Sequence, residues 1–156
     1  MLCDIISPMA YRLFPMYSVD QPVGPGKPNR HDDVRLIQAM LLTLFRFDTA
    51  DWVSALPADK RILTTNAMFN DTLAQWILTF QTYYGTGTYK GILFADGVVD
   101  PLPPDIRDAK ARFKHGHYST LWWMCNRLWK HSQKDYMRLG DDYRIPWNPE
   151  PHWASS

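Results

Sequence analysis

Asp96-Gly97-Val98-Val99-Asp100-Pro101 reads as a turn that hands the chain from one packed helix to the next. Gly97 accepts positive φ without steric cost, the two β-branched valines suit a core, and Pro101 blocks continuation of a helix. Just upstream, Leu73, Trp76, Ile77, Phe80 and Tyr84 recur at the spacing of a helix buried on one side. Asn70 is placed to cap that helix, and Gly85 and Gly87 to end it.

Working back toward the N-terminus, Val34, Ile37, Leu41 and Leu44, with Phe45 beside them, predict an earlier amphipathic helix ending near Phe47. Asn29 is its candidate cap, and Asp32 and Asp33 sit at its positive end. Val23-Gly24-Pro25-Gly26-Lys27-Pro28-Asn29 is a turn-rich lead-in, and residues 48–68 a long connection around Pro57 with a short helix near Trp52. Beyond the second helix, Tyr89 to Phe94 reads as a short strand or an extended link. A third helix spans about Ser119 to His131, its inner face Leu121, Met124, Cys125, Leu128 and Trp129, with Ser119 or Thr120 as cap. Between Pro101 and Gly116 a proline-led, charged insertion leaves room for a short helix through Ile106, Ala109 and Phe113.

The expected organisation is mostly α: an extended, apolar N-terminal arm (1–22), a compact three-helix domain (23–131), and a proline- and aromatic-rich C-terminal tail (132–156). No internal repeat is visible. With 156 residues, 46% hydrophobic and 21% charged, the chain has enough apolar material for one core. A net charge of +1 gives no pull toward nucleic acid or an anionic membrane, so neither is an expected partner. Met1 to Val19 lacks a basic, uninterrupted apolar leader, which predicts synthesis in the cytoplasm without a signal peptide. Work at a cell wall would then need lysis, a dedicated secretion apparatus or a place in a particle. The two cysteines, Cys3 and Cys125, leave a disulfide open, but Cys125 reads as a small buried hydrophobe.

The punctuation resembles the small three-helix peptidoglycan-binding domain of bacterial cell-wall proteins. That family's first helix carries a Leu/Val–Gln–Leu core, filled here by Val34, Ile37, Gln38 and Leu41. Its second helix follows Asp-Gly-x-Phe-Gly and ends in Val-x-x-Phe-Gln, matched by Phe69, Ile77, Phe80 and Gln81. Its second turn, Asp-Gly-(Val/Ile)-Val-Gly-Pro, is matched by Asp96, Gly97, Val98, Val99 and Pro101. The first Asp-Gly turn is missing from the sequence, Asn70 and Asp100 stand where glycines belong, Thr72 is one place from the family threonine, and the insertion before the third helix is foreign to the pattern. The resemblance implies a non-catalytic wall-recognition domain. It places a ligand groove beside the second turn and between helices two and three, lined by Tyr83, Tyr84, Asp96, Tyr118 and Trp122.

Catalytic and cofactor chemistry find little support in the residues. His115-Gly116-His117, with Asp108 and His131 nearby in sequence, lacks a third ligand at a recognisable spacing, so no metal or other cofactor is expected. Asp32-Asp33, Asp141-Asp142 and Asp105/Asp108 are carboxylate pairs that helix starts and solvated turns explain. Cys125 on an apolar face is a poor nucleophile for His131 to activate, and Gly24-Pro25-Gly26-Lys27 lacks phosphate-loop spacing. Trp122-Trp123 stands out, because neighbours on a helix point about 100° apart and only one fits fully into the core.

No enzyme activity is therefore expected. The leading expectation is recognition of peptidoglycan glycan or stem peptide by an adaptor or accessory of a larger assembly. The alternative is a structural subunit of a phage particle, tail or secretion apparatus that reuses the fold for docking. In either case protein partners are expected through residues 1–22 and 132–156.

Overall fold

The structure, a computed structural model, describes residues 4–6, 10–12, 16–47, 52–86, 91–103 and 115–140. It is mostly helical. Helix α1 spans His31–Phe47, α2 Asp71–Gly85, α3 Thr120–His131 and α4 Gln133–Met137, with a single 3-10 turn at Ala58–Lys60. Ahead of them, β1 (Asp4–Ile6) and β2 (Ala10–Arg12) pair antiparallel, Ile5 opposite Tyr11. Residues 104–114, where a short helix is expected, and 141–156 lie outside the described residues, as do Cys3 and Gly87.

Helix α1 lies along α3 and touches α2. Their inner faces carry the predicted periodicities: Val34, Ile37, Leu41 and Leu44 from α1, Leu73, Trp76, Ile77 and Phe80 from α2, and Leu121, Met124, Cys125 and Leu128 from α3 are all buried. Trp52, from the connection, seals the core edge-on against Trp76 at 6.0 Å and Phe80 at 5.4 Å. Each such side chain withdraws enough apolar surface to contribute about 2 to 3 kcal/mol. Asn70 caps α2 by accepting the Leu73 N–H at 2.9 Å, and Ser119 caps α3 by accepting that of Trp122 at 3.2 Å.

Asn29 does not cap α1. It sits at φ 48°, and its amide binds the preceding turn instead: Oδ1 accepts the Gly24 N–H, while Nδ2 donates to the Gly24 and Lys27 carbonyls. Two valines then join this lead-in to the second turn, Val23 and Val99 exchanging both backbone hydrogen bonds in an isolated antiparallel bridge. Gly24 allows the approach, for a Cβ there would stand 2.9 Å from the Gly97 carbonyl oxygen.

A turn built from Asn66 and Ala67 precedes α2. Gln38 of α1 accepts the Ala67 N–H at 2.9 Å and donates to Asn66 Oδ1 and the Met68 carbonyl. Gln81 of α2 repeats the arrangement: it accepts the Gly97 N–H at 2.8 Å and donates to the Val98 carbonyl at 2.9 Å and, more weakly, to Asp96 Oδ1 at 3.4 Å. Asn66 Oδ1 and Asp96 Oδ1 each accept the N–H two residues on, from Met68 and Val98. Ala67 (φ 61°) and Gly97 (φ 75°) share the left-handed region. A helix whose buried glutamine pins the following Asx turn therefore occurs twice, a repeat that the residues alone do not show.

Ala67 occupies a conformation that costs a non-glycine residue about 1 to 2 kcal/mol, against about 0.5 to 1 for the extra unfolded-state freedom of glycine. Ala67→Gly is thus expected to stabilise the protein by about 0.5 kcal/mol or more in a denaturant titration. A loss of stability would mean that burial of the Ala67 methyl outweighs the backbone strain.

Segments just before α1 and just after α3 fold onto this core. Met16, Tyr17 and Val19 are buried, and Asp33 of α1 clamps the arm by accepting the Asp20 N–H at 2.8 Å and the Gln21 N–H at 3.0 Å. Ser132 ends α3 and caps α4, which brings Tyr136 against Tyr17 with ring centroids 5.2 Å apart. Tyr17 Oη donates to the Tyr136 carbonyl, and Tyr136 Oη accepts the Tyr17 N–H.

Candidate functional site

The second turn and the start of α3 come together around Tyr118. Its N–H donates to the Ile92 carbonyl at 2.9 Å, which fixes the ring just ahead of the helix. Tyr118 then stacks on Trp122 with centroids 5.5 Å apart and planes 28° from parallel, and faces Trp123 at 6.4 Å and 14°. All three are half-buried and form a shelf along the edge of the core. Phe94, 39% exposed, extends the aromatic surface together with His115 at 4.4 Å and His117 at 5.6 Å. His117 Nδ1 lies 3.0 Å from the Gly91 carbonyl, so that nitrogen carries the proton.

Asp96 and Tyr118 line one small depression with Phe94, Val98, Asp100, Ser119 and Thr120, about 10 Å³ in volume. That is room for about one water, so a ligand here would rest on the rim rather than enter. Of the expected groove residues, Tyr118 and Trp122 are brought together and Asp96 stands at the adjoining turn. Tyr84 is fully buried, packed against Phe80 at 5.0 Å, Trp123 at 5.3 Å and the Arg127 guanidinium at 5.6 Å. It offers no surface to a ligand. Tyr83 is half-buried, edge-on to Tyr84 at 4.9 Å, and borders neither of the two concavities near the turn. Asp96 has a structural duty as well, since its Oδ1 closes the turn on the Val98 N–H. Trp123 divides from Trp122 as helical geometry demands: it covers Tyr84, with a buried indole N–H that meets no acceptor among the described residues.

Among the described residues, no three His, Cys, Asp or Glu side chains converge as a metal ligand set would. Asp33 is engaged with the backbone of the arm, while Asp105, Asp108, Asp141 and Asp142 lie outside the described residues. Cys125 is a free, buried thiol whose S–H donates to the Tyr17 carbonyl at 3.5 Å, and burial pushes its pKa up to about 12. A thiol so held in its neutral form is a poor nucleophile. His131 is exposed on the far side, stacked on Phe47 at 6.5 Å and 3.2 Å from an Arg127 nitrogen.

The chain matches no protein-family model, no curated protein and no solved structure. Function therefore has to be argued from the site. Among the described residues no helix is long and apolar enough to cross a membrane.

A second concavity was not legible in sequence. It opens on the other side of the Asp96-Gly97 turn, over the outward stripe of α2, and involves Lys60, Asp71 and Gln75. Its members come from four separate segments and share no motif. Only the helical spacing of Asp71, Ala74, Gln75 and Leu78 was available as a signal.

Proposed function

We propose that this protein is a non-catalytic recognition module for the bacterial cell wall, peptidoglycan its ligand, working as an adaptor or accessory within a larger assembly. The observation that carries the reading is the shelf of Tyr118 and Trp122, held half-exposed beside a glutamine-pinned turn. Flat, partly wet aromatic faces suit pyranose rings, whose C–H edges pack on them while hydroxyl groups stay solvated. The twofold recurrence of helix, buried glutamine and Asx turn supports the resemblance to peptidoglycan-binding domains, because it sets a turn ahead of the second helix, where that pattern carries one.

The docking-subunit reading is less favoured. It expects residues 1–22 and 132–156 to reach for other chains, whereas in their described part Met16, Tyr17, Val19, Tyr136 and Leu139 are buried in this chain's own core. A wall-binding module carried on a phage or secretion assembly is compatible with both.

Co-sedimentation with insoluble sacculi tests the proposal. Saturable binding is expected, with Tyr118→Ala and Trp122→Ala each weakening it about tenfold, equivalent to about 1.4 kcal/mol. Circular dichroism should show both variants folded, since both rings are half-exposed. Asp96→Ala is a poor probe, for it also opens the turn. Absence of binding at protein concentrations approaching about 1 mM, the weak end of useful affinity, would sink the proposal.

A further inference from the structure

The outward stripe of α2 lies beneath an open cleft of about 440 Å³, walled by Pro25 and Ala95-Asp96-Gly97 on one side and by Lys60 on another. Asp71, Ala74, Gln75 and Leu78 form the α2 side at helical spacing, opposite the buried Leu73, Trp76, Ile77 and Phe80. The stripe spans eight residues, Asp71 to Leu78, about 10 Å along the axis. The volume falls in the range of small-molecule sites, about 300 to 1,000 Å³. Rigid supports hold its walls. The Lys60 carbonyl accepts the Trp76 indole N–H at 2.6 Å, fixing the backbone that carries the lysine against α2. Gln81 and the Val23–Val99 bridge fix the turn and Pro25 opposite.

Lys60 and Asp71 line the cleft with opposite charges and do not pair with each other. Among the described residues the ion pair is Arg30 with Asp20, and neither Lys60 nor Asp71 takes part in one. Between them lie Ala74 and the 40% exposed Leu78, a short apolar floor, with Gln75 able to donate and accept. A cation, Lys60, and a carboxylate, Asp71, lining one concavity without pairing suit a guest that carries both charges itself.

We propose that this cleft binds a short peptide of about three residues bearing an ammonium group and a carboxylate, since three extended residues span about 10 Å. The carboxylate pairs with Lys60, the ammonium group with Asp71, and small apolar side chains rest on Ala74 and Leu78. The site uses a different face of the turn from the aromatic shelf and does not depend on glycan recognition there.

The test is an amide-resolved NMR titration of the whole protein with Ala-Ala-Ala bearing free termini, against its N-acetylated and C-amidated forms. Saturable shifts are expected at residues 71–78 and 95–97, with a dissociation constant on the order of 1 mM at low salt. Each blocked peptide, and each of Lys60→Gln and Asp71→Asn, should bind about fivefold or more weakly. These variants preserve side-chain size and alter no hydrogen bond of the core. Trp122→Ala should leave peptide binding unchanged, which separates this site from the shelf whatever the sacculus assay returns. No shifts at about 20 mM peptide, or shifts indifferent to both blocking groups, would overturn the proposal.

Discussion

Gln81→Leu is expected to lower stability by about 3 to 5 kcal/mol and to shift the thermal midpoint by about 10 °C. Gln81 is fully buried, and its amide serves the Gly97 N–H, the Val98 carbonyl, the Asp96 carboxylate and the Thr120 hydroxyl at once. Leucine fills nearly the same volume, so the loss comes from hydrogen bonds rather than from a cavity. A buried donor and acceptor left without partners each cost about 1 to 3 kcal/mol. Thr120 begins α3, so the same amide ties α2 to both the second turn and the third helix. Gln38→Leu should behave alike through Ala67, Asn66 and Met68, but without a tie to a third helix its effect should be smaller. Gln81→Glu separates the two halves of the amide. An introduced carboxylate keeps an acceptor for Gly97 yet opposes the Val98 carbonyl and Asp96, so its deficit should shrink as acid protonates it. A midpoint shift below about 2 °C for Gln81→Leu would show that the turn holds itself.

Stability should fall steeply in alkali, beginning near pH 9. Burial raises the Cys125 pKa from 9.0 to about 12, and burial raises that of Tyr136 well above its ordinary 10.0, with the neighbouring Cys125 adding to the effect. Both groups stay neutral in the folded chain while the unfolded chain would ionise them. Their stabilising contribution is therefore complete below the unfolded pKa and is lost as pH rises through the window toward the folded one. One such group gives a slope of about 1.4 kcal/mol per pH unit, and two together approach about 2.7. Cys125→Ala should move the onset from about pH 9 to about pH 10 and halve the slope above about pH 10, whatever it costs at neutral pH. Denaturant midpoints measured at intervals between neutral pH and about pH 11 provide the check. An unchanged pH profile in Cys125→Ala would remove the thiol from the account.

The periodic apolar positions, the Asn70 and Ser119 caps and the Gly97 turn were legible because each is a local effect: helical spacing, an N-cap oxygen, a positive φ. Asn66-Ala67 was not, since alanine carries no mark of left-handed backbone and is driven there by the Gln38 amide arriving from α1. Asn29 misled for a related reason. Its amide serves a cap or a turn equally well, and the Gly24 and Lys27 backbone, brought near by the chain reversal, claimed it.

Tyr83, Tyr84, Tyr118 and Trp122 were expected together as groove lining from the resemblance; Tyr83 and Tyr84 are neighbours of identical chemistry and only packing separates them. Tyr84 continues the Trp76–Phe80 row into the core, where Trp123 and Arg127 close over it. The cleft above α2 could not be read at all, because a concavity is made by the spacing between segments and not by any one of them. Sequence alone thus specified a mostly helical chain, its core faces and its principal turn, all set by interactions within a few residues. Tertiary structure decided which aromatics meet solvent, how a second turn forms without glycine, and how Lys60 and Asp71 come to line one cleft, because those depend on contacts between segments far apart in the chain.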